Sequence, residues 1–356
     1  MNFTNCQFGL LSACVLSLCA FTCDAAEKNG ADASQKKAKC CYDTDKCLPK
    51  DTFPPNRASL YGEFIYLQTI VDDLRFAEKV PQTVNLTPRG SPIVQKNSYD
   101  PAVRLGFDVS LGDHWEIGAQ WMYVNVVPKS AHAADSNYGI FASLASNVFG
   151  AGGNSYTNSV SGRWHMNMNV VNITLDKALC VGDVLQLRLE AGAQAAFLHQ
   201  HMHVNYGTFR IDNANASTPR TIRGHTDTWG VGPIIGLETR LLAVKWLDIF
   251  ILGQYSPMIG FFDYSTAYSD LTNAPAGAKI TLHSNNRKMF SMWLLKAAAA
   301  KRFDITNSAS FDVMIGWETQ LWQRQVRMDF FNTISGARYD SDITLNGPFI
   351  RLSANF

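Results

Sequence analysis

The chain has 356 residues and a formal net charge of +1, with 31 Lys and Arg against 30 Asp and Glu. That balance argues against a nucleic-acid binder, whose domain carries a clear basic excess. No stretch beyond the N-terminus holds about 18 consecutive apolar residues, which excludes a helical membrane span but not a β-barrel, whose apolar residues are diluted by alternation.

The first 26 residues stand apart. Phe8 to Phe21 is an uncharged apolar run, followed by small residues at Ala25 and Ala26 that resemble a signal-peptide cleavage site. The start, MNFTNCQ, lacks the usual basic residue, so a buried N-terminal helix is the alternative. LSAC, ending at Cys14, looks like a lipid-attachment motif, but too few apolar residues precede it. Residues 1–26 are expected to be a signal peptide. Residues 27–57 are charged, Pro-containing and poor in apolar residues, and are expected to form a flexible periplasmic tail. The tail carries CCYDTDKC, whose cysteines are too closely spaced for a zinc site that needs two separated ligand pairs. In an exported chain Cys40, Cys41, Cys47 and Cys180 are disulfide candidates, within the chain or to another chain. The alternative is that some of these thiols stay reduced.

From residue 58 to residue 356 the dominant pattern has period two, the signature of β-strands with unlike faces. PAVRLGFDVSLG sets Val103, Leu105, Phe107, Val109 and Leu111 against Arg104, Gly106, Asp108 and Ser110. HWEIGAQWMY, VLQLRLEAGAQAAF, TWGVGPIIGLETRL and SASFDVMIGWETQL alternate in the same way. Runs of about ten or more alternating residues are what tilted strands need to cross a bilayer, whereas a soluble sandwich would turn sooner. The pattern predicts ten strands, at about 58–72, 101–112, 114–127, 162–179, 184–204, 224–242, 245–262, 286–303, 307–323 and 341–356. Their links alternate between short (GDH, CVGD, AVK, DIT) and long, as periplasmic turns and outer loops do in an outer-membrane barrel. The fold class is therefore all-β: an antiparallel transmembrane β-barrel of about ten strands. Twelve or more would follow if long loops hide hairpins. Loop 128–161 has three open placements: folded into the lumen, laid over the mouth, or free.

The alternating polar face predicts the pore-lining residues Arg104, Asp108, Glu116, Gln120, Arg188, Glu190, Gln194, Glu238, Arg240, Asp312 and Glu318. Charges there are tolerated if water fills the lumen. Mixed signs in a narrow barrel would instead pair into a closed interior, and ten strands sit near the filled end of the size range. Acids outnumber Arg, so a conducting lumen would mildly prefer cations. HQHMH (199–203) puts three histidines on one strand face, and the parity of Phe197 places them outside the wall, near the outer interface. Counting about the 180–183 turn sets Trp164 opposite His199. A rim girdle is expected there rather than a metal site, and no cofactor is expected. An outer-rim protease with His165 and loop acids is the rival class; no G-x-S-x-G or H-E-x-x-H supports it, and no enzymatic activity is expected. The last strand ends RLSANF, and its closing aromatic, Phe356, looks like the address read by the barrel assembly machinery.

Several fragments in order carry a family resemblance: GEFIYLQTIVDDLRFA (62–77), SYDPAVRLGFDVSLGDHWEIGAQWMYVNV (98–126), GRWHMNMNVVNITLD (162–176), LQLRLEAGAQAAFLHQHMHVNY (185–206), TWGVGPIIGLETRLL (228–242), MIGWETQLW (314–322) and LNGPFIRLSANF (345–356). Together they resemble the major outer membrane protein-like porins of Legionella and of chlamydia-related bacteria. The resemblance implies a surface-abundant outer-membrane barrel that passes small hydrophilic solutes or ions, with no catalytic residues. The Cys-bearing tail lies outside the shared pattern and fits a disulfide-linked envelope. A non-conducting structural or adhesive barrel is the alternative. Expected partners are outer-membrane lipid and lipopolysaccharide, the assembly machinery, disulfide-linked envelope proteins and further copies of the chain, with no nucleic acid.

Overall fold

The computed structural model describes residues 58–356 apart from 72–73, 80–90, 96–97, 113, 128, 138, 143, 145–155, 182–183, 212–213, 217–218, 245–246, 270–278, 307–308 and 331–336, and apart from the side chains of 180, 209–216, 242–244, 279–280, 327–330 and 337–340. The signal-peptide and tail assignments, with Cys40, Cys41 and Cys47, lie outside the described residues, as does the side chain of Cys180.

Among the described residues the wall consists of ten long strands: β1 (Ala58–Val71), β2 (Tyr99–Gly112), β3 (Trp115–Val126), β4 (Ser159–Val181), β5 (Leu185–Tyr206), β6 (Arg220–Val244), β7 (Leu247–Ser269), β8 (Lys279–Thr306), β9 (Ala309–Phe330) and β10 (Ala337–Asn355). Each is antiparallel to its sequence neighbours, and β10 returns to β1, so the sheet closes on itself. Closure extends to the last residue, where Ala58 N–H donates to Phe356 O at 2.9 Å and Phe356 N–H donates to Ala58 O at 3.0 Å. A closed sheet has no unpaired edge, which is what hydrocarbon demands of backbone polar groups.

The register fixes the size of the barrel. A walk from Glu63 across paired residues runs Arg104, Met122, Val170, Ala196, Gly230, Gly260 and Lys288 on β8. The opposite walk runs Arg351, Met314 and Ala300, also on β8. The two ends are twelve residues apart on one strand. With rises of about 3.3 Å and strand spacings of about 4.8 Å, that shear tilts ten strands by about 40° and gives a backbone radius of about 10 Å. Side chains from opposite walls can meet across such a lumen.

The alternation resolves as the sequence predicts. Leu105, Ile173, Val231, Ile235, Ile259 and Ile315 are exposed on the outer face. Arg104, Gln194 and Glu318, one residue out of phase with such positions, are buried inside. A one-residue slip would invert every strand, so the lipid-facing apolar set specifies the register strongly.

Three details differ from expectation. First, β6 to β9 run further at the outer end than their apolar faces suggest; β8 reaches back to Lys279. Hydrogen-bonded pairing continues there although the outward residues have turned polar, as at Asp263 opposite Asn285 and Ser265 opposite His283. Second, β4 continues through Cys180 to Val181, so the closing pair is Val181 with Leu185. His199 therefore faces Asn167, and Trp164 faces Met202 on the inner side, not His199. Third, the long loops do hold short strands, but these do not enter the wall. Arg75–Lys79, Ser91–Val94, Ile140–Phe141, Tyr156–Thr157, Phe209–Ile211 and Ala214–Ala216 pair in a second sheet, and Ala131–Ala134 extends beside β4. Phe76, Ile140 and Leu144 join one apolar cluster with Trp164 and Val204 of the wall. The described parts of loop 128–161 thus pack over the outer end of the barrel.

Candidate functional site: the barrel lumen

Two cross-strand ion pairs are set by register. Glu63 on β1 faces Arg104 on β2, and Lys296 on β8 faces Glu318 on β9. Across the lumen the pairs interlock. Arg104 donates from Nη1 and Nη2 to the two oxygens of Glu318 at 2.9 and 3.2 Å, and it also pairs with Glu63. Lys296 Nζ donates to Glu63 Oε1 at 2.9 Å and lies 3.2 Å from Glu318 Oε2. The four side chains are at most 5% exposed, so they form a neutral, dry layer of two cations and two anions. Burying any one of them unpaired would cost several kcal/mol, about 3–5 where a partner is removed. Mutual pairing is what permits the layer.

Above this layer, toward the long loops, the lumen is apolar. Gln320 Nε2 donates to Glu318 Oε1 at 2.8 Å, and Trp322 Nε1 donates to Gln320 Oε1 at 3.0 Å. Lys296 Nζ sits 4.9 Å from the ring centre of Phe349. Met122, Trp322, Phe349, Phe290, Met258 and Leu198 are all buried and belong to one cluster. Gly230 and Gly260 seat the Phe290 ring; a Cβ on either would run into it. Further out, Gln200 on β5 donates to the backbone carbonyl of Gln325 on β9 at 3.0 Å, another bridge between opposite walls. A bulge between Trp322 and Val326, with Arg324 at φ 57°, turns that carbonyl inward.

Below the layer, toward the short turns, the lumen is polar and holds water-sized space. Arg188 pairs with Glu116 at 2.6 Å and with Asp176 at 2.8 Å. Arg240 pairs with Asp248 at 3.1 Å, and Arg302 with Asp312 at 2.9 Å. A cavity of about 110 Å³ is lined by Asp108, Glu116, Arg188, Glu238, Arg240 and Asp312, among others. A smaller one of about 50 Å³, lined by Gln120, Glu190 and Glu238, ends against Lys296.

All the residues predicted to line a pore lie on the inward face, but they divide between three settings. Arg104 and Glu318 are in the dry layer. Gln194 is buried and donates to Asn172 Oδ1 at 2.9 Å. Asp108, Glu116, Gln120, Arg188, Glu190, Glu238, Arg240 and Asp312 line the polar half. Lys296, Asp176, Arg302 and Arg351 complete the site and are not among the residues predicted to line it. Lys296 sits in WLLKAAAA, where both faces are apolar and alternation is faint. The available signal was parity alone: Lys296 shares the inward phase of Leu294 and Ala298. The HQHMH histidines lie on the outer face, with His199 and His201 exposed.

The family described as Legionella pneumophila major outer membrane protein precursor matches residues 54–356. No curated protein matches the chain. Among solved structures the chain is similar to the outer membrane protease OmpT of Escherichia coli, at 11% identity over 86% of this chain and 98% of that one, with a TM-score of 0.40. It is similar to Ail, the attachment invasion locus protein of Yersinia pestis, at 6% identity over 85% and 100%, with a TM-score of 0.25. It is also similar to the toluene transporter TodX of P. putida, at 8% identity over 86% and 90%, with a TM-score of 0.19.

Proposed function

The chain belongs to the Legionella pneumophila major outer membrane protein family and is a protein of the bacterial outer membrane, and from that premise we propose that it is a porin-type barrel closed at rest. In its open state it passes small hydrophilic solutes or ions by passive diffusion, with no chemistry on them. The reading is carried by one observation: the Glu63–Arg104–Glu318–Lys296 layer spans the lumen with its four side chains at most 5% exposed. A permanently open channel would keep such charges hydrated. Here their charges are balanced only by one another, so opening means separating the pairs and admitting water to them. The wall itself need not move. Carboxylates outnumber cations around the polar half, so the open state mildly prefers cations.

The test is planar-bilayer recording of the refolded mature barrel beside an Arg104→Ser variant. The wild type is expected to be mostly silent with brief, small openings. The variant is expected to show stable, stepwise conductance, with reversal potentials that favour cations. Large, stable wild-type steps would contradict closure.

A second reading is favoured by the outer end of the barrel, where Phe76 and Ile140 of the outer sheet and the nearby Leu144 join the apolar cluster of the wall. On that reading the barrel is a structural or adhesive element, and folded wild type and variant are both silent. In either case Cys40, Cys41, Cys47 and Cys180 cross-link the envelope, the first three from the periplasmic tail. Non-reducing gels of envelopes showing only unshifted monomer would remove that part. Lipid and lipopolysaccharide around the wall, the assembly machinery at Phe356, disulfide-linked neighbours and further copies of the chain complete the set of partners.

A further inference from the structure

The outer face of β4 to β6 carries a polar cluster that the lumen does not use. It begins where the apolar band ends. On β6 the outward row runs Ile235, Val231 and Trp229, then Asp227 and His225; on β5 it runs Phe197, then His199 and His201. Trp229, a residue type enriched at membrane interfaces, stacks on Phe261 with ring centres 4.2 Å apart. Register then sets His165, His201 and His225 abreast on three adjacent strands.

Directly opposed side chains on antiparallel strands have Cβ atoms about 4.5–5.5 Å apart, so these rings meet. The ring centres of His201 and His225 are 4.4 Å apart, and their Nδ1 atoms are 3.0 Å apart. His225 Nε2 lies 2.8 Å from Asp227 Oδ2, and the other oxygen of Asp227 is 2.7 Å from His199 Nδ1. A carboxylate only accepts, so the neutral His225 carries its proton on Nε2 and presents a lone pair on Nδ1. That lone pair faces Nδ1 of His201.

We propose that His201 and His225 form a two-imidazole site for a divalent transition-metal ion at the outer rim of the wall, with Asp227 as the positioning residue that holds His225 in its ligating tautomer. Metal-bound histidines commonly give their second N–H to a carboxylate in this way. The span of the site also selects the ion. Nitrogens 3.0 Å apart, with bonds of about 2.0–2.1 Å, subtend about 90° at a metal. That is the angle between adjacent positions in octahedral or tetragonal geometry, so the site suits Ni²⁺ and Cu²⁺ better than tetrahedral Zn²⁺. No group of three His, Cys, Asp or Glu side chains among the described residues is arranged to hold an ion, so water fills the remaining positions. His165 is a neighbour rather than a ligand: its ring centre is 6.3 Å from that of His201, and its Nε2 is 3.0 Å from Asn125 Oδ1. A bound ion would link β5 to β6 where the strands leave the bilayer.

The test is calorimetric titration of NiCl2 and of ZnCl2 into the folded mature chain in detergent, with its thiols alkylated to silence the cysteine tail. One equivalent of Ni²⁺ is expected, bound more tightly than Zn²⁺. His201→Ala or His225→Ala abolishes it, and Asp227→Asn weakens it by about 10–100-fold. His283→Ala, at another exposed histidine of the outer face, leaves it unchanged. Heat-modifiable migration on gels verifies that each variant is folded. Absence of Ni²⁺ binding to the wild type, or binding that survives His225→Ala, would overturn the site. A preference for Zn²⁺ would overturn its geometry.

Discussion

The Lys296 ammonium lies 2.9 Å and 3.1 Å from the two carboxylate oxygens of Glu63, 233 residues earlier in the chain. The strands that carry them, β8 and β1, are separated in the wall by β9 and β10. The contact therefore runs through the lumen, and a radius of about 10 Å makes it reachable. Buried ion pairs add little stability over apolar residues of the same shape, yet removing one member is costly. The layer acts as a latch: weak as glue, expensive to break one side at a time.

Glu318→Gln is expected to destabilise the folded barrel by about 3–5 kcal/mol, because Arg104 and Lys296 would share only Glu63. The double variant Glu318→Gln, Lys296→Met restores charge balance and is expected to recover much of that loss. Urea unfolding midpoints of the refolded proteins measure both. A double variant no better than the single would show that the charges are not coupled.

Phe290→Ala removes a ring from the apolar half and is expected to cost about 3–5 kcal/mol. Its conductance stays at the wild-type level, because the ion layer below it is intact. Bilayer recording locates the barrier: stable openings in this variant would place it among the apolar side chains instead.

Gly260→Val tests the same region from the wall. Its side chain would meet the Phe290 ring, and overpacking of this kind costs about 1–3 kcal/mol. The expected sign is a lower urea midpoint with an unchanged unfolding slope. An unchanged midpoint would mean that Phe290 has another place to go.

Ile315 is 60% exposed on the lipid face, flanked by Ala299 on β8 and Ile350 on β10. Ile315→Arg is expected to cost about 2–4 kcal/mol if it lies near the bilayer midplane. Gln186→Arg, on the polar inner face beside the larger cavity, is expected to stay within about 0.5 kcal/mol. Equal effects of the two would show that the faces are misassigned.

Much of the barrel was legible from residue order. Pleating makes side chains alternate with period two, and alternation is a local property. Val103 to Leu111 could therefore be placed against Arg104 and Asp108 from twelve residues of sequence. The short links had a local signature too, as at Gly112 and His114, which take left-handed φ values of 86° and 63° in the first turn. The outer extensions of β6 to β9 were less legible, because their outward residues are polar and the pairing there depends on backbone hydrogen bonds that any sequence can make. One register differs from expectation where β4 runs on through Cys180 and Val181, since nothing in CVGD marks which pair closes the hairpin.

The sequence by itself determined the fold class, the strand number and which side chains face lipid, because each follows from alternation within single strands. It also placed Arg104 and Glu318 on the inner face. Only the tertiary structure decided that they meet, that Lys296 and Glu63 join them, and that His201 lies against His225 outside. The contacts across the lumen depend on the shear summed around all ten strands, whereas His201 meets His225 through the register of one strand pair. Shear is a property of closure, and no single strand carries it.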